Sequence, residues 1–143
     1  CTCCQNEYLQ FDFWIGSWNV FNLEGNKVGE NEIISMQDGC VIQENWSSEN
    51  MTGTSYNYYN STDSSWNQVW IDNAGGSLVL KGKYKNGKMI MKSELLKGQK
   101  IDFYYNQISW ERKEDGSVVQ TWDTYDKENR LLINVFTGIY KRK

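Results

Sequence analysis

The side chains in this sequence that could do chemistry are few. Glu44 and Ser55 would place a hydroxyl beside a carboxylate if neighbouring strands carry them, but the chain has no His to relay a proton. Glu44 and Asp72 fall on presumed inner faces of strands separated by one neighbour, an arrangement that in principle acts on a glycosidic bond. Cys1, Cys3 and Cys4 cluster, with Cys40 alone downstream. A Cys-x-Cys-Cys cluster without His and with only a distant fourth Cys is a poor zinc set. A disulfide from Cys3 or Cys4 to Cys40 is the alternative if the protein lives in an oxidising compartment. Cys40 also reads as a buried apolar Cys sharing a face with Glu44. No catalytic or metal set is complete, so the sequence is read as non-catalytic, without metal or cofactor.

A second group of residues suits binding better than catalysis. Side chains alternate along a strand, so each segment splits into two faces. The faces bearing Trp are the natural inner ones, because indoles remove the most apolar surface from water. That choice brings Glu44, Trp46, Asn57, Gln68, Trp70, Trp110, Arg112, Gln120 and Trp122 into one lumen. Two arrangements would satisfy these polar groups. In one, Glu44 and Arg112 form a buried ion pair and ordered water bridges the amides. In the other, they line a wet cavity with aromatic walls and a few orienting polar groups, as small-molecule sites do. The second is the expected one.

The elements that must position these residues are strands. The chain has 143 residues, 39% hydrophobic and 15% aromatic, with seven Trp, nine Tyr and no Pro. That is the length of one domain, and its turns are built from Gly, Asn, Asp and Ser. Ten strands are expected: Ser17 to Glu24, Val28 to Met36, Cys40 to Ser48, Thr54 to Asn60, Ser65 to Asp72, Ser77 to Tyr84, Lys88 to Leu95, Lys100 to Arg112, Ser117 to Tyr125 and Arg130 to Lys141. Leu96 to Gln99 is expected as a turn, and Asn86-Gly87 supplies the positive φ of a tight hairpin. No stretch carries a helical period over ten residues or more. Strands at even spacing joined by short turns form an antiparallel up-and-down meander, whose edges are hidden by closure into a barrel. A two-sheet sandwich is the architectural competitor.

Before the first strand, Phe11-Asp12-Phe13-Trp14-Ile15-Gly16 crowds apolar bulk in front of a Gly. This reads as a plug folded across the barrel's base. The division that follows is an N-terminal tether over residues 1–10 and a single barrel domain over residues 11–143.

The formal charge is −3 and the basic residues are scattered, so the footprint of a nucleic-acid binder is missing. No apolar run approaches the roughly 18 residues of a membrane-spanning helix. A Cys at residue 1 followed by a short polar tract resembles a mature bacterial lipoprotein, with the lipid on that Cys. Membrane contact is expected only through such a lipid, and the location as cell envelope or secreted.

Gly16-Ser17-Trp18 resembles the Gly-x-Trp signature of calycins, the superfamily of lipocalins, fatty-acid-binding proteins and nitrobindins. The chain is more closely similar to an uncharacterised bacterial family of lipocalin-like domains. The segments that carry this are Phe11-Asp12-Phe13-Trp14-Ile15-Gly16-x-Trp18, Gly39-Cys40-x-Ile42-x-Glu44-x-Trp46, Gly53-x-Ser55-x-Asn57-x-Tyr59, Trp66-x-Gln68-x-Trp70-x-Asp72, Asp115-Gly116-Ser117 and Gly138-x-Tyr140-x-Arg142. The resemblance implies a barrel, with Trp18 packed under Arg142 near the barrel's end as a structural contact. A short first turn leaves no room for the helical lid of fatty-acid-binding proteins, and the lack of His removes the iron ligand of nitrobindins. The functional expectation is a carrier or sensor for a small hydrophobic or amphiphilic molecule. The alternatives are a filled barrel that contacts another protein through Tyr56, Tyr58 and Tyr105, or a carboxylate-dependent hydrolase.

Overall fold

Wherever a Gly, Asn or Asp turn separates alternating apolar and polar residues, the computed structural model, which describes residues 1–143, places a pair of antiparallel strands. They are β1 (Gly16–Phe21), β2 (Lys27–Met36), β3 (Val41–Ser47), β4 (Thr52–Asn60), β5 (Ser65–Asp72), β6 (Ser77–Lys85), β7 (Lys88–Lys92), β8 (Leu96–Lys97), β9 (Phe103–Arg112), β10 (Val118–Asp126) and β11 (Leu131–Arg142). Asn86 and Gly87, at φ 52° and 81°, turn β6 into β7, as the twist of a tight hairpin requires.

Sequential strands pair down the chain, β11 pairs back onto β1, and β9 pairs with β10. Ten strands thus close into an antiparallel, lipocalin-like barrel, and the two-residue β8 is added to β9. Closure satisfies the backbone groups that a sandwich would leave at its edges.

The expected strands differ from the observed ones mainly at the turns. β1 ends at Phe21 rather than Glu24, because the Asn26 N–H donates to Asn22 Oδ1 at 2.9 Å and closes the turn early. Leu96 and Lys97 are not a turn but extend to pair with Tyr104 and Phe103. β11 is longer than its neighbour: its ladder with β1 covers only Ile139 to Arg142, so from Leu131 to Gly138 it meets no strand on that side.

One end of the barrel is sealed. Asp12–Trp14 form a single 3-10 turn that pushes Phe11 and Trp14 into the base, both 0% exposed. Phe11 stacks on Trp14 at 4.8 Å between ring centroids and meets Trp110 edge-on at 5.2 Å. Edge-to-face and offset pairs of this kind add to the gain from burial alone. The Trp18 indole N–H donates to the Trp14 carbonyl at 2.7 Å, tying the plug to β1. Arg142 lies 4.2 Å from the Trp18 ring centroid and donates to the Ile15 carbonyl at 3.0 Å. A side chain on Gly16, at φ 142°, would collide with that guanidinium. The Gly-x-Trp and Arg residues therefore form one latch at the sealed end.

Residues 1–10 lie against the same end. Cys3, 5% exposed, is bonded to Cys40 just before β3, and Cys1 is bonded to Cys4. Gln10 accepts the Trp66 indole N–H at 3.1 Å, and Tyr8 packs edge-on against Tyr59 at 5.1 Å. Closing the 37-residue loop between Cys3 and Cys40 restricts the unfolded chain by about 3–4 kcal/mol in the loop-entropy picture. Cys40 is thus a bridge to the N-terminal segment, as the disulfide alternative has it, and not a buried free thiol.

Candidate functional site

Across the middle of the barrel a belt of inward positions is polar, and these side chains bond one another within and between strands. The Gln68 Nε2 donates to Asn57 Oδ1 at 2.7 Å, and Asn57 Nδ2 donates to Ser55 Oγ at 2.9 Å and to the Ile42 carbonyl at 3.2 Å. Ser55 Oγ donates to Glu44 Oε1 and Asn31 Nδ2 donates to Glu44 Oε2, both at 2.7 Å. Asn31 Nδ2 also reaches the Tyr140 hydroxyl at 2.9 Å, which in turn donates to Gln120 Oε1 at 2.6 Å. The chain of bonds runs over β5, β4, β3, β2, β11 and β10. Its polarity is fixed at the Ile42 carbonyl, which only accepts, so Asn57 and Ser55 must hand their protons toward Glu44.

Glu44 is 5% exposed and sits at the centre of this belt. No Lys or Arg forms an ion pair with it. Burial therefore raises its pKa above the usual carboxylate value, and the bonds from Asn31 and Ser55 only partly oppose that. Tyr140 is driven well above the ordinary phenol range, first by burial and then by the nearby Glu44 charge.

Above the belt, toward the open end, lies a cavity of about 440 Å³, lined by fourteen residues of which ten are hydrophobic. Glu44, Gln68, Gln120 and Tyr140 form its polar floor, and Trp46, Trp70, Trp122 and Phe136 form much of its wall. The indoles do not fill the space, because glycines let them lie flat. A Cβ on Gly29 would strike the six-membered ring of Trp46, and one on Gly53 would strike that of Trp70. Each ring rests on the backbone of the adjacent strand, and the lumen beside it stays open. Trp122 is held by its N–H to Asn106 Oδ1 at 2.9 Å. The Trp46 N–H is buried without a partner.

Six of the nine residues expected to bind ligand line this cavity: Glu44, Trp46, Gln68, Trp70, Gln120 and Trp122. Asn57 is 0% exposed and stands behind the floor, orienting Gln68 and Ser55. Trp110 points inward as expected but packs 5.4 Å from Trp14 within the plug, where no lumen remains. Arg112 is exposed at the sealed end, paired across from Val118. Its strand parity is that of Trp110, but the plug occupies the base at that height and the side chain leaves the barrel. The alternative arrangement, a buried Glu44–Arg112 pair, does not form, and Asn31 and Ser55 bond the carboxylate instead.

Of the two carboxylates considered for glycoside chemistry, Glu44 lines the cavity and Asp72 does not. Asp72 Oδ1 accepts the backbone N–H groups of Ala74 and Gly76 at 2.9 and 2.8 Å and braces its own turn. Ser55 does meet Glu44, as the donor that solvates it. Of the three tyrosines proposed for protein contact, Tyr56 and Tyr58 are 43% and 44% exposed, while Tyr105 stacks on Tyr125 at 5.4 Å and donates to Asn129.

Sequence reasoning missed Asn31 and Tyr140. Their signal was present: Asn31 shares the inward parity of Ile33, and Tyr140 that of Gly138 and Phe136. Asn31, buried between Gly29 and Ile33 on one face of β2, marks where the belt crosses it. No protein-family model and no curated protein matches the chain.

Proposed function

We propose that the protein is a non-catalytic carrier or sensor that holds a small amphiphilic molecule with a flat aromatic or apolar body in the open half of the barrel, and that it is related to the bacterial lipocalin-like domains it resembles. The observation that carries this reading is the cavity of about 440 Å³ with indole walls laid over glycines. That volume falls among small-molecule sites, whose walls are apolar and whose few polar groups orient the guest. The sealed end makes entry one-sided, and the wall above Ile139 between β1 and β11 offers room for it. Such a space favours the carrier over a filled barrel acting through its surface.

Two disulfides support a cell-envelope or secreted location, since such bonds persist in oxidising compartments. The Cys1 sulfur holds either Cys4 or a lipid thioether, one excluding the other.

Binding is read by tryptophan fluorescence. Titration with apolar and amphiphilic aromatic compounds should give a saturable change, and Trp70→Ala should reduce its amplitude and weaken binding about tenfold or more while the fold is retained. The absence of any saturable change across lipids, bile salts, tetrapyrroles and small aromatics would remove the carrier reading.

A further inference from the structure

The floor of the cavity holds a carboxylate without a counter-ion. Glu44 is enclosed by Asn31 from β2, Ser55 from β4 and Tyr140 across the belt from β11. None of these is a cation, and Tyr140 is the only other titratable group among them. A carboxylate has about four lone-pair positions, and the protein fills one on each oxygen. The unused acceptor capacity belongs to a side chain that lines the cavity. Gln68 adds to it: its Nε2 is committed to Asn57, and its amide oxygen takes no bond from the protein. The nearest walls are indoles, whose faces attract cations.

We propose that this site selects ligands bearing a protonated primary or secondary amine on a flat aromatic body, with the ammonium donating to Glu44 and Gln68 and the body lying among Trp46, Trp70 and Trp122. The inference rests on the lumen-binding reading above and adds the head group to it. An isolated buried carboxylate is costly, and a pair of opposite charges with further hydrogen bonds is the arrangement that offsets the cost. The amine supplies the counter-charge that Arg112, exposed at the sealed end, does not. Amide donors from Asn31 and a hydroxyl from Ser55 already solvate the carboxylate, so no rearrangement of the floor is needed to receive it.

The test compares three probes that differ only at the head: 2-(1-naphthyl)ethylamine, 2-(1-naphthyl)ethanol and 3-(1-naphthyl)propionate. Calorimetric titration of the wild-type protein near pH 7 should show the amine binding at least tenfold tighter than the alcohol, with the acid weaker than both. In Glu44→Gln the amine and alcohol should bind within about twofold of one another. In that variant the introduced amide oxygen can accept from Ser55, and the Asn31 amide must turn over for its Oδ1 to accept the new N–H, so a thermal melt of the variant accompanies the titration. The amine preference of the wild type should also shrink as pH falls and Glu44 is protonated. Equal binding of alcohol and amine by the wild type, or a preference that survives Glu44→Gln, overturns the amine assignment and leaves lumen binding standing. Failure of all three probes to bind overturns the amine assignment, and the wider fluorescence panel then decides the lumen-binding reading separately. The wild-type comparison needs no variant to fold.

Discussion

At the sealed end Trp14, Trp18 and Trp110 are 0% exposed and Trp66 is 3% exposed, while at the open end Trp46, Trp70 and Trp122 remain half-buried around a cavity. The sealed set packs ring on ring, with the plug residues Phe11 and Trp14 filling the centre. The open set packs ring on backbone, with Gly29 and Gly53 making room for two of the indoles against the wall. The same side chain thus serves as stuffing at one end and as panelling at the other. Whether a neighbouring strand presents a glycine, and whether a plug occupies that level, decides between the two uses.

The largest effect expected from this contrast is on stability. Trp14→Ala should lower the unfolding free energy by about 3–5 kcal/mol, because it leaves a cavity in a closed aromatic cluster. Trp70→Ala should cost only roughly 1 kcal/mol, since its ring already borders open space. Urea unfolding of the two variants side by side measures the gap, and equal losses would mean that the two ends are packed alike.

A smaller effect separates wall from lumen. Gly53→Ala places a methyl where the Trp70 ring lies, while the backbone there needs no left-handed conformation. The indole must swing into the cavity at a cost of about 1 kcal/mol. Ligand-induced fluorescence change should be lost with nearly normal unfolding, whereas an unchanged titration would show that the ring does not depend on that glycine.

The smallest effect is a slope with pH. Because the folded pKa of Glu44 is raised above its ordinary value of 4.5, the unfolded chain gives up this proton first. Its contribution to stability is complete below that value and is lost as pH rises through the folded pKa. The ligand-free protein should therefore lose stability above about pH 4.5 relative to Glu44→Gln. Asp12, also raised by partial desolvation beside the plug, acts in the same direction in both proteins and cancels in the difference. Glu30, lowered to about 2 by Lys143 and Lys27, acts oppositely and only as pH falls toward that value. Thermal melts of both proteins from about pH 4 to 8 give the comparison, and parallel curves would mean that Glu44 titrates normally.

Much of the barrel was legible because a strand's period of two is written directly in the residues. The third strand shows it well: Ile42, Glu44 and Trp46 were assigned to one face and all turn inward. Asn86-Gly87 fixed a hairpin, and Phe11 with Trp14 announced a plug. The site was legible in part for the same reason. Parity gave Trp110 and Arg112 the correct face of β9 but not their height, and height is what separates the plug from the cavity and both from the rim. The partners of Glu44 were missed because they come from β2 and β4 through pairings of residues 13 and 11 positions apart, and a distant Arg is the more obvious choice on charge alone.

The sequence by itself determined that this protein is a meander of short strands with a plugged base, because turn residues and alternation act over two to four neighbours and need no distant partner. Only the tertiary structure decided which indoles are buried, which cysteines join, and that Glu44 is left with two neutral donors and acceptor capacity to spare. Those outcomes follow from the stagger between strands on closure and from the depth to which the plug enters, quantities shared by the whole barrel and written in no single segment.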